Sequence, residues 1–222
     1  MYETEKEVLM VKEASSIYNS SSAEVIRPLT IDDFDDMPME PRVELYYGEK
    51  IVMEVPKISH QDAVAEILYQ TMDFIKKNKG KCKPIVSPAA AQPDVNDDST
   101  VFQPDFMVVC DQDKLKDGRH VIGAPDWVVE VLSPSTRKRD MQVKKEKYLS
   151  SGVREYWMVD TEGEVVIIYK GDNPDVSVIR KMSEPIPVGI YDGDLVIDLS
   201  SLTTDEDEVE SQYTTTAVGV VH

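Results

Sequence analysis

The stretch that decides the fold reads QPDFMVVC at residues 103–110 and APDWVVEVLSPSTRKRDMQVKKEKYLSSGVREYWMVD at residues 124–160. It contains three short apolar runs rich in Val and aromatic residues, at 106–110, 127–132 and 156–159, which are typical of buried strands. A charged segment of helical length, 136–151, separates the second run from the third. The order strand, loop, strand, helix, strand predicts an α/β (α+β) domain.

Three carboxylates stand at or within these runs: Asp105 opens the first, Glu130 lies inside the second and Asp160 ends the third. A carboxylate buried in a central strand needs a cation, a metal ion or a shifted pKa, because losing its solvation is costly. We therefore expect Asp105 and Glu130 to share one divalent ion, with Lys144 bringing positive charge from the following helix. The alternative, in which Glu130 faces water from an edge strand and Asp105 only caps a turn, fits the pattern equally well.

The predicted helix carries Asp140, Lys144 and Tyr148 at four-residue intervals, so all three project from one side. One interpretation is an ordinary ion pair beside a core tyrosine, and the other is a lysine directed at the carboxylates. We expect Tyr148, Met141 and Leu149 to pack inward. The segment 137–147 is also the most basic part of the chain. Such a run is usually a solvated face, but here it adjoins the carboxylates, where a phosphate would bind.

Composition indicates one soluble globular domain, since 41% of the 222 residues are hydrophobic and 30% are charged. We expect an N-terminal arm at 1–27, the domain at 28–202 and an acidic flexible tail at 203–222. No stretch approaches the roughly 18–20 apolar residues of a membrane span, and the N-terminal residues lack signal-peptide features. A cytoplasmic protein without membrane contact is therefore expected.

The formal net charge is −18, of which −2 lies in residues 1–27 and −5 in residues 203–222, leaving −11 for the predicted domain. That balance opposes nonspecific attraction to nucleic acid, so a phosphodiester ligand would need a local basic patch or a bound metal. The two cysteines, Cys82 and Cys110, have no metal-ligand spacing, and the sequence indicates neither a disulfide framework nor a zinc site. We expect both to be reduced.

The rest of the chain supplies flanking elements. Thr30 is expected to cap a short helix that ends before Pro38, and residues 42–55 read as a hairpin around Gly48. The clearest amphipathic helix runs from Ser59, as its N-cap, to about residue 78, and its predicted core face is Val64, Ile67, Leu68, Met72 and Ile75. His60 stands in its first turn, where a histidine is more often a capping or loop contact than a ligand. A short helix at 4–14 and a strand pair at 164–170 and 176–182 are also predicted.

The run GAPDWVVEVLSPSTRKRD, followed by a lysine, a tyrosine and GVREYWMVD, resembles the Uma2 family of bacterial proteins. The likeness extends to LTIDDF, RVELYYGEKIVM, the pair SH opening a helix, and PDFMVV, all in the same order, and covers roughly residues 29–202. The resemblance implies a restriction-endonuclease-like mixed β-sheet flanked by helices and a place in the PD-(D/E)XK nuclease superfamily.

The resemblance also implies roles for single residues. Asp105 matches the Asp of the PD element and Glu130 the acidic residue of the (D/E)XK element, but Leu132 stands where the superfamily has Lys. The lysine function is implied at Lys144 instead. Four further positions are auxiliary candidates: Glu44 and His60, which match recurrent family positions, and Asp140 and Tyr148 on the helix.

These implications favour an endonuclease that hydrolyses phosphodiester bonds, with Asp105, Glu130 and the Val131 carbonyl holding Mg²⁺ or Mn²⁺. Nucleic acid is the expected partner, DNA before RNA, and a homodimer is left open. The alternative is a catalytically degenerate module of the same fold that binds nucleic acid or a protein partner in a regulatory role. A serine hydrolase using Ser133 or Ser135 with His60 is disfavoured, because Ser-Pro-Ser is no nucleophile elbow.

Overall fold

The computed structural model describes residues 27–38 and 40–203. The predicted helix at 4–14, and all of the predicted arm and tail except Arg27 and Thr203, lie outside the described residues. Within the described part no helix is long and apolar enough to cross a membrane.

The secondary structure follows the predicted order along the chain. The helical elements are α1 (Ile31–Asp35), α2 (Ile58–Lys77), α3 (Arg137–Arg139), a π-helical turn (Asp140–Lys144) and α4 (Lys145–Ser150), with 3-10 turns at Gln112–Leu115, Gly189–Tyr191 and Ser200–Leu202. The strands are β1 (Val43–Tyr46), β2 (Glu49–Val52), β3 (Lys83–Val86), β4 (Ala91–Gln92), β5 (Phe106–Val109), β6 (Val121–Ile122), β7 (Trp127–Val131), β8 (Glu155–Asp160), β9 (Val165–Lys170), β10 (Asn173–Lys181), β11 (Ile186–Pro187) and β12 (Val196–Ile197).

A six-stranded mixed sheet in the order β10-β9-β8-β7-β5-β3 forms the centre of the molecule. Strands β7 and β8 are parallel and all other neighbours in it are antiparallel. The parallel pair requires a crossover, which the helical segment from α3 to α4 provides. The three apolar runs of the sequence are therefore neighbouring strands, as the pattern predicted, and the fold is the expected restriction-endonuclease-like mixed sheet with helices.

Alternation along the central strands divides the core into two layers. On one face Trp127, Val129 and Trp157 pack with Ala63 and Ile67 of α2. On the other face Val128, Tyr156 and Met158 pack with Tyr148 and Leu149 of the helical crossover. Burying each large apolar side chain contributes about 1.5–3 kcal/mol, so the two layers fix the register of the sheet.

Three local expectations about the helices are wrong. Lys57, not Ser59, is the N-cap of α2, so the helix begins one residue before the predicted cap. Met72 is 54% exposed, because the buried stripe of α2 consists of Ala63, Val64, Ile67 and Thr71 and passes beside it. Met141 is 37% exposed, while Tyr148 and Leu149 are buried as expected.

The expectation of two reduced cysteines is also wrong, since Cys82 and Cys110 form a disulfide. Strands β3 and β5 pair antiparallel with Lys83 opposite Val109. The residues one step outside that pair therefore face each other across the strands. The two cysteines are separated by 28 residues, and this spacing alone does not indicate how the strands pair.

Candidate active site

The ammonium of Lys144 lies at the centre of a buried acidic cluster. Its Nζ is 2.9 Å from Glu130 Oε1, 2.9 Å from Glu44 Oε1 and 3.7 Å from Asp140 Oδ1. Each of these four side chains is only 3–4% exposed. One cation thus joins a central strand, the β1–β2 hairpin and the helical crossover.

Glu130 reaches this cluster through the alternation of β7. Trp127, Val129 and Val131 face the layer that contains α2, so Val128 and Glu130 face the layer beneath the helical crossover. Glu130 is buried on a strand that has a neighbour on each side. The alternative in which it faces water from an edge strand is therefore wrong.

A π-helical turn carries Asp140 and Lys144 over the sheet. Such a turn is wider than an α-helical turn and occurs frequently at functional sites. The buried hydroxyl of Tyr156 donates a hydrogen bond to the Asp140 carbonyl oxygen at 3.0 Å, which anchors the wide turn on β8. Asp140 and Lys144 therefore approach the same cluster, as their spacing predicted.

Glu44 is held in place by three donors. Its Oε1 accepts the backbone N–H of Gln103 at 2.7 Å in addition to the Lys144 contact, and its Oε2 accepts the hydroxyl of Tyr46 at 2.9 Å. The hairpin itself is docked by two hydrogen bonds between the backbones of Leu45 and Val101, at 2.8 and 3.0 Å. Neither Gln103 nor Tyr46 was singled out from the sequence, because only the folded hairpin brings them to Glu44.

Asp105 stands beside the cluster, in contact with the backbone of Val131. Its Oδ2 accepts the backbone N–H of Val131 at 2.8 Å, and His60 Nε2 lies 3.0 Å from the same oxygen. His60 Nδ1 is buried, and it has no hydrogen-bond partner among the described residues. His60 thus lies in the candidate site, in contact with Asp105.

One cavity of about 290 Å³ unites these groups. Seven of the eight candidate residues line it: Glu44, His60, Asp105, Glu130, Val131, Asp140 and Lys144. Tyr148 is the exception, because it is fully buried, with its ring centre 5.2 Å from that of Phe102. Sequence reasoning missed Arg42, Glu54 and Lys57 in the lining, which carry no motif and are brought in by the fold.

The electrostatics of the cluster follow from burial and from the single cation. Burial raises the pKa of Glu130 well above its ordinary value, although Lys144 opposes the shift, and burial likewise raises the pKa of Asp140. For Lys144 burial acts to lower the pKa, but Glu130 and Glu44 outweigh it and hold the pKa well above its ordinary value. The lysine therefore stays charged, and acidic groups outnumber it.

The oxygen donors of the candidate site are of the kind that bind a hard divalent cation with few protein ligands. Mg²⁺ is commonly held by one or two carboxylates and several waters, and Asp105, Glu130 and the Val131 carbonyl are oxygen donors of that kind. Asp140 Oδ1 is buried with no hydrogen-bond partner among the described residues, and the Lys144 ammonium lies 3.7 Å from it. Among residues 27–38 and 40–203 no group of three or more His, Cys, Asp or Glu side chains is arranged for a metal.

The basic segment 137–147 is not a continuous phosphate-binding surface. Arg137 pairs with Asp160 at 2.7 Å, and Lys147 pairs with Asp97 at 2.7 Å. The Lys145 ammonium lies 4.8 Å from the ring centre of Tyr169. Much of the segment's charge is therefore used inside the fold, while Arg139 lines the cavity.

The model of the Uma2 family, described as "Putative restriction endonuclease", matches residues 31–184. Among solved structures the chain is similar to the crystal structure of "a putative nuclease belonging to DUF820" from Anabaena variabilis ATCC 29413. The TM-score is 0.64 and the identity 20%, over 79% of this chain and 97% of that one, a likeness that shows a shared fold. A comparison with curated proteins finds no match.

Proposed function

Since the chain belongs to the Uma2 family, we propose that it is a divalent-metal-dependent endonuclease whose site consists of Asp105, Glu130 and Lys144. The observation that carries the proposal is the convergence of a buried lysine with Glu130, 2.9 Å apart, in the cavity that Asp105 also lines. The family description favours DNA over RNA as the substrate.

Asp105, Glu130 and the Val131 carbonyl would hold Mg²⁺ or Mn²⁺. When bound, such an ion lowers the pKa of a coordinated water and neutralises charge on the scissile phosphate. The Val131 N–H and His60 both contact Asp105 Oδ2 and so fix the direction of its carboxylate. His60 is accordingly a positioning residue in this proposal.

Lys144 supplies positive charge at the reacting phosphate. Its elevated pKa keeps it protonated, so it donates hydrogen bonds to the non-bridging oxygens as their charge grows. The oxygen of a water bonds to phosphorus while the bond from phosphorus to the leaving oxygen breaks. The water loses one proton and the leaving oxygen gains one, so the net reaction adds water across one P–O bond. Arg139 and Arg42, both in the lining, are suited to hold the flanking phosphates.

A second candidate is a noncatalytic module that retains the fold. The observation in its favour is that Glu130 Oε1 already contacts the Lys144 ammonium. The buried carboxylates thus have a cationic partner without a metal ion. In that case the same residues would stabilise the hairpin against the sheet, and the protein would act through binding.

Cleavage of a mixture of single- and double-stranded DNA in Mg²⁺ or Mn²⁺ tests the proposal. Wild type should cleave, and Asp105→Asn and Glu130→Gln should each abolish cleavage. The matched control is Asp126→Asn. Asp126 accepts the backbone N–H of Cys110 at 2.8 Å, much as Asp105 accepts that of Val131, but it lies outside the cavity. A wild-type protein that binds DNA without cleaving it in either metal would favour the noncatalytic module.

A further inference from the structure

The reacting groups lie deep in a small cavity. Glu130 and Lys144 are each 4% exposed, and the space in front of them is about 290 Å³. Pockets for small ligands measure roughly 300–1,000 Å³, so this cavity lies at the lower end of that range. A flexible single strand can bend its backbone into such a recess, whereas a stacked duplex holds its backbone in a fixed helical path.

The rim of the cavity is bridged. Glu54, which follows β2, and Ser135, in the loop after β7, both line the cavity and are both exposed. The Ser135 hydroxyl donates a hydrogen bond to Glu54 Oε2 at 2.7 Å, so the two walls touch. A carboxylate at this position narrows the opening, and it repels a duplex more strongly than a single strand because the duplex carries twice the phosphate charge per length.

Apolar side chains stand at the same rim. Val55 lines the cavity and is 93% exposed, and Ile58, next to Lys57 of the lining, is 82% exposed. No other large hydrophobic side chain among the described residues is as exposed as these two. Apolar side chains beside a nucleic-acid site are suited to pack against a base that has left the stack, whereas the bases of intact duplex are covered.

The charge distribution points the same way. Duplex binding is driven mainly by several Lys and Arg contacts to phosphates. Here Arg137 and Lys147 are paired with acids of the same chain, and the region between residues 27 and 203 carries −11 overall. Such a surface offers little attraction to the high charge density of double-stranded DNA.

We infer that this site acts on an unpaired nucleotide, in a single strand or at a bulge or frayed end, and that intact duplex is excluded. The base rests on Val55 and Ile58, and its phosphate enters the cavity past Glu54 and Ser135. The inference rests on the proposed nuclease function and names its substrate class.

Three labelled DNA substrates of one sequence test the inference: the single strand, its blunt duplex, and the duplex with a central unpaired bulge. The expected order of cleavage rates in Mn²⁺ is single strand first, then bulge with cuts confined to the unpaired bases, with blunt duplex at least about tenfold slower. Equal rates on single strand and duplex would overturn the inference while leaving the nuclease proposal intact. No cleavage of any substrate would remove the nuclease proposal and, with it, this inference.

Variants of the exposed rim residues distinguish packing of a base on Val55 and Ile58 from entry of the strand into the cavity. Val55→Ser combined with Ile58→Ser should raise KM for the single strand about tenfold and leave kcat nearly unchanged. The control is Tyr69→Ser, an exposed apolar residue of α2 outside the cavity, which should change neither value. Glu54→Ala should reduce the difference in cleavage rate between the single strand and the duplex. An unaltered KM in the Val55/Ile58 variant would overturn the base-packing step.

Discussion

Lys144 and Glu130 form an ion pair of 2.9 Å in which each side chain is only 4% exposed. Glu44 contacts the same ammonium at 2.9 Å, so the pair ties the β1–β2 hairpin to the central sheet. A charge that is buried this deeply is tolerated only when every partner is present. Lys144 and Glu130 therefore contribute both to the stability of the domain and to the chemistry proposed for it.

Replacing Lys144 by Met should destabilise the domain by about 3–5 kcal/mol, because it leaves buried carboxylates without their cation. The measurement is urea unfolding at neutral pH. Lys145→Met, which removes an ammonium 4.8 Å from the Tyr169 ring centre, is the control and should cost much less.

The double variant Glu44→Gln/Lys144→Met identifies the origin of that loss. Removing one carboxylate together with the ammonium should restore part of the stability, as expected for residues in direct contact. Strict additivity of the two single changes would show that the 2.9 Å contact contributes nothing to stability.

Lys144→Met should also abolish cleavage while strengthening Mn²⁺ binding. In the proposed site the ammonium would compete with a metal for Glu130 Oε1, and removing the ammonium makes the cavity more negative. Calorimetry at a temperature where the variant is folded gives the affinity. A loss of Mn²⁺ binding in this variant would mean that the ammonium is not a competitor for Glu130.

Much of the fold could be predicted from the sequence, because the strands and the helix between residues 103 and 160 follow from patterns of neighbouring residues. Alternation in WVVEV places Glu130 on the face opposite Trp127 and Val129, and the structure has it there. The spacing of Asp140 and Lys144 predicted that both project from one side, and their side chains lie 3.7 Å apart.

What the sequence did not predict depends on register and on long-range contacts. The Cys82–Cys110 bond follows from the pairing of β3 with β5, which no local pattern specifies. The contact of Glu44 with Lys144 depends on how the hairpin docks, and a carboxylate in a hairpin strand looks like any surface residue. The basic run looked like a ligand surface because the acids that pair with it lie far away in sequence.

The disulfide should contribute measurably to stability. Closing a loop with a sequence separation of 28 is expected to add about 3–4 kcal/mol by restricting the unfolded chain. Cys82→Ser/Cys110→Ser should therefore unfold at lower urea concentration than oxidised wild type. Reductant should shift wild type to the value of the variant and leave the variant unchanged, and identical midpoints with and without reductant would contradict a bond in the folded protein.

Acid should weaken the contact between the loop after β4 and the helical crossover. Burial opposes the charged form of Asp97, but hydrogen bonds from Lys147 and Ser99 outweigh it and lower the pKa of Asp97. Because the pKa of Asp97 is lower in the folded than in the unfolded protein, its contribution to the free energy of unfolding is fully present above about pH 4, the pKa in the unfolded chain. That contribution is lost as the pH falls through the pKa of the folded state. Asp97→Asn should cost about 2 kcal/mol at pH 7 and flatten the decline below pH 4.

Exposed Asp98 provides the control for that titration. Asp98→Asn should leave both the stability at pH 7 and the acid decline close to those of wild type. Unfolding curves from pH 2 to pH 7 give the stability of wild type and of both variants. If the stability of Asp97→Asn falls with pH as steeply as that of wild type, the Lys147 contact is not the cause of the acid sensitivity.

Calorimetric titration of Mn²⁺ into wild type, Asp105→Asn and Asp126→Asn tests the central claim most directly, because it needs no assumption about the substrate. Asp105 and Asp126 each accept a backbone N–H of the neighbouring strand at 2.8 Å, but only Asp105 lines the cavity with Glu130. The account predicts one Mn²⁺ bound by wild type and by Asp126→Asn, and none by Asp105→Asn. Absence of binding to wild type at millimolar Mn²⁺, or equal binding by all three proteins, would contradict it.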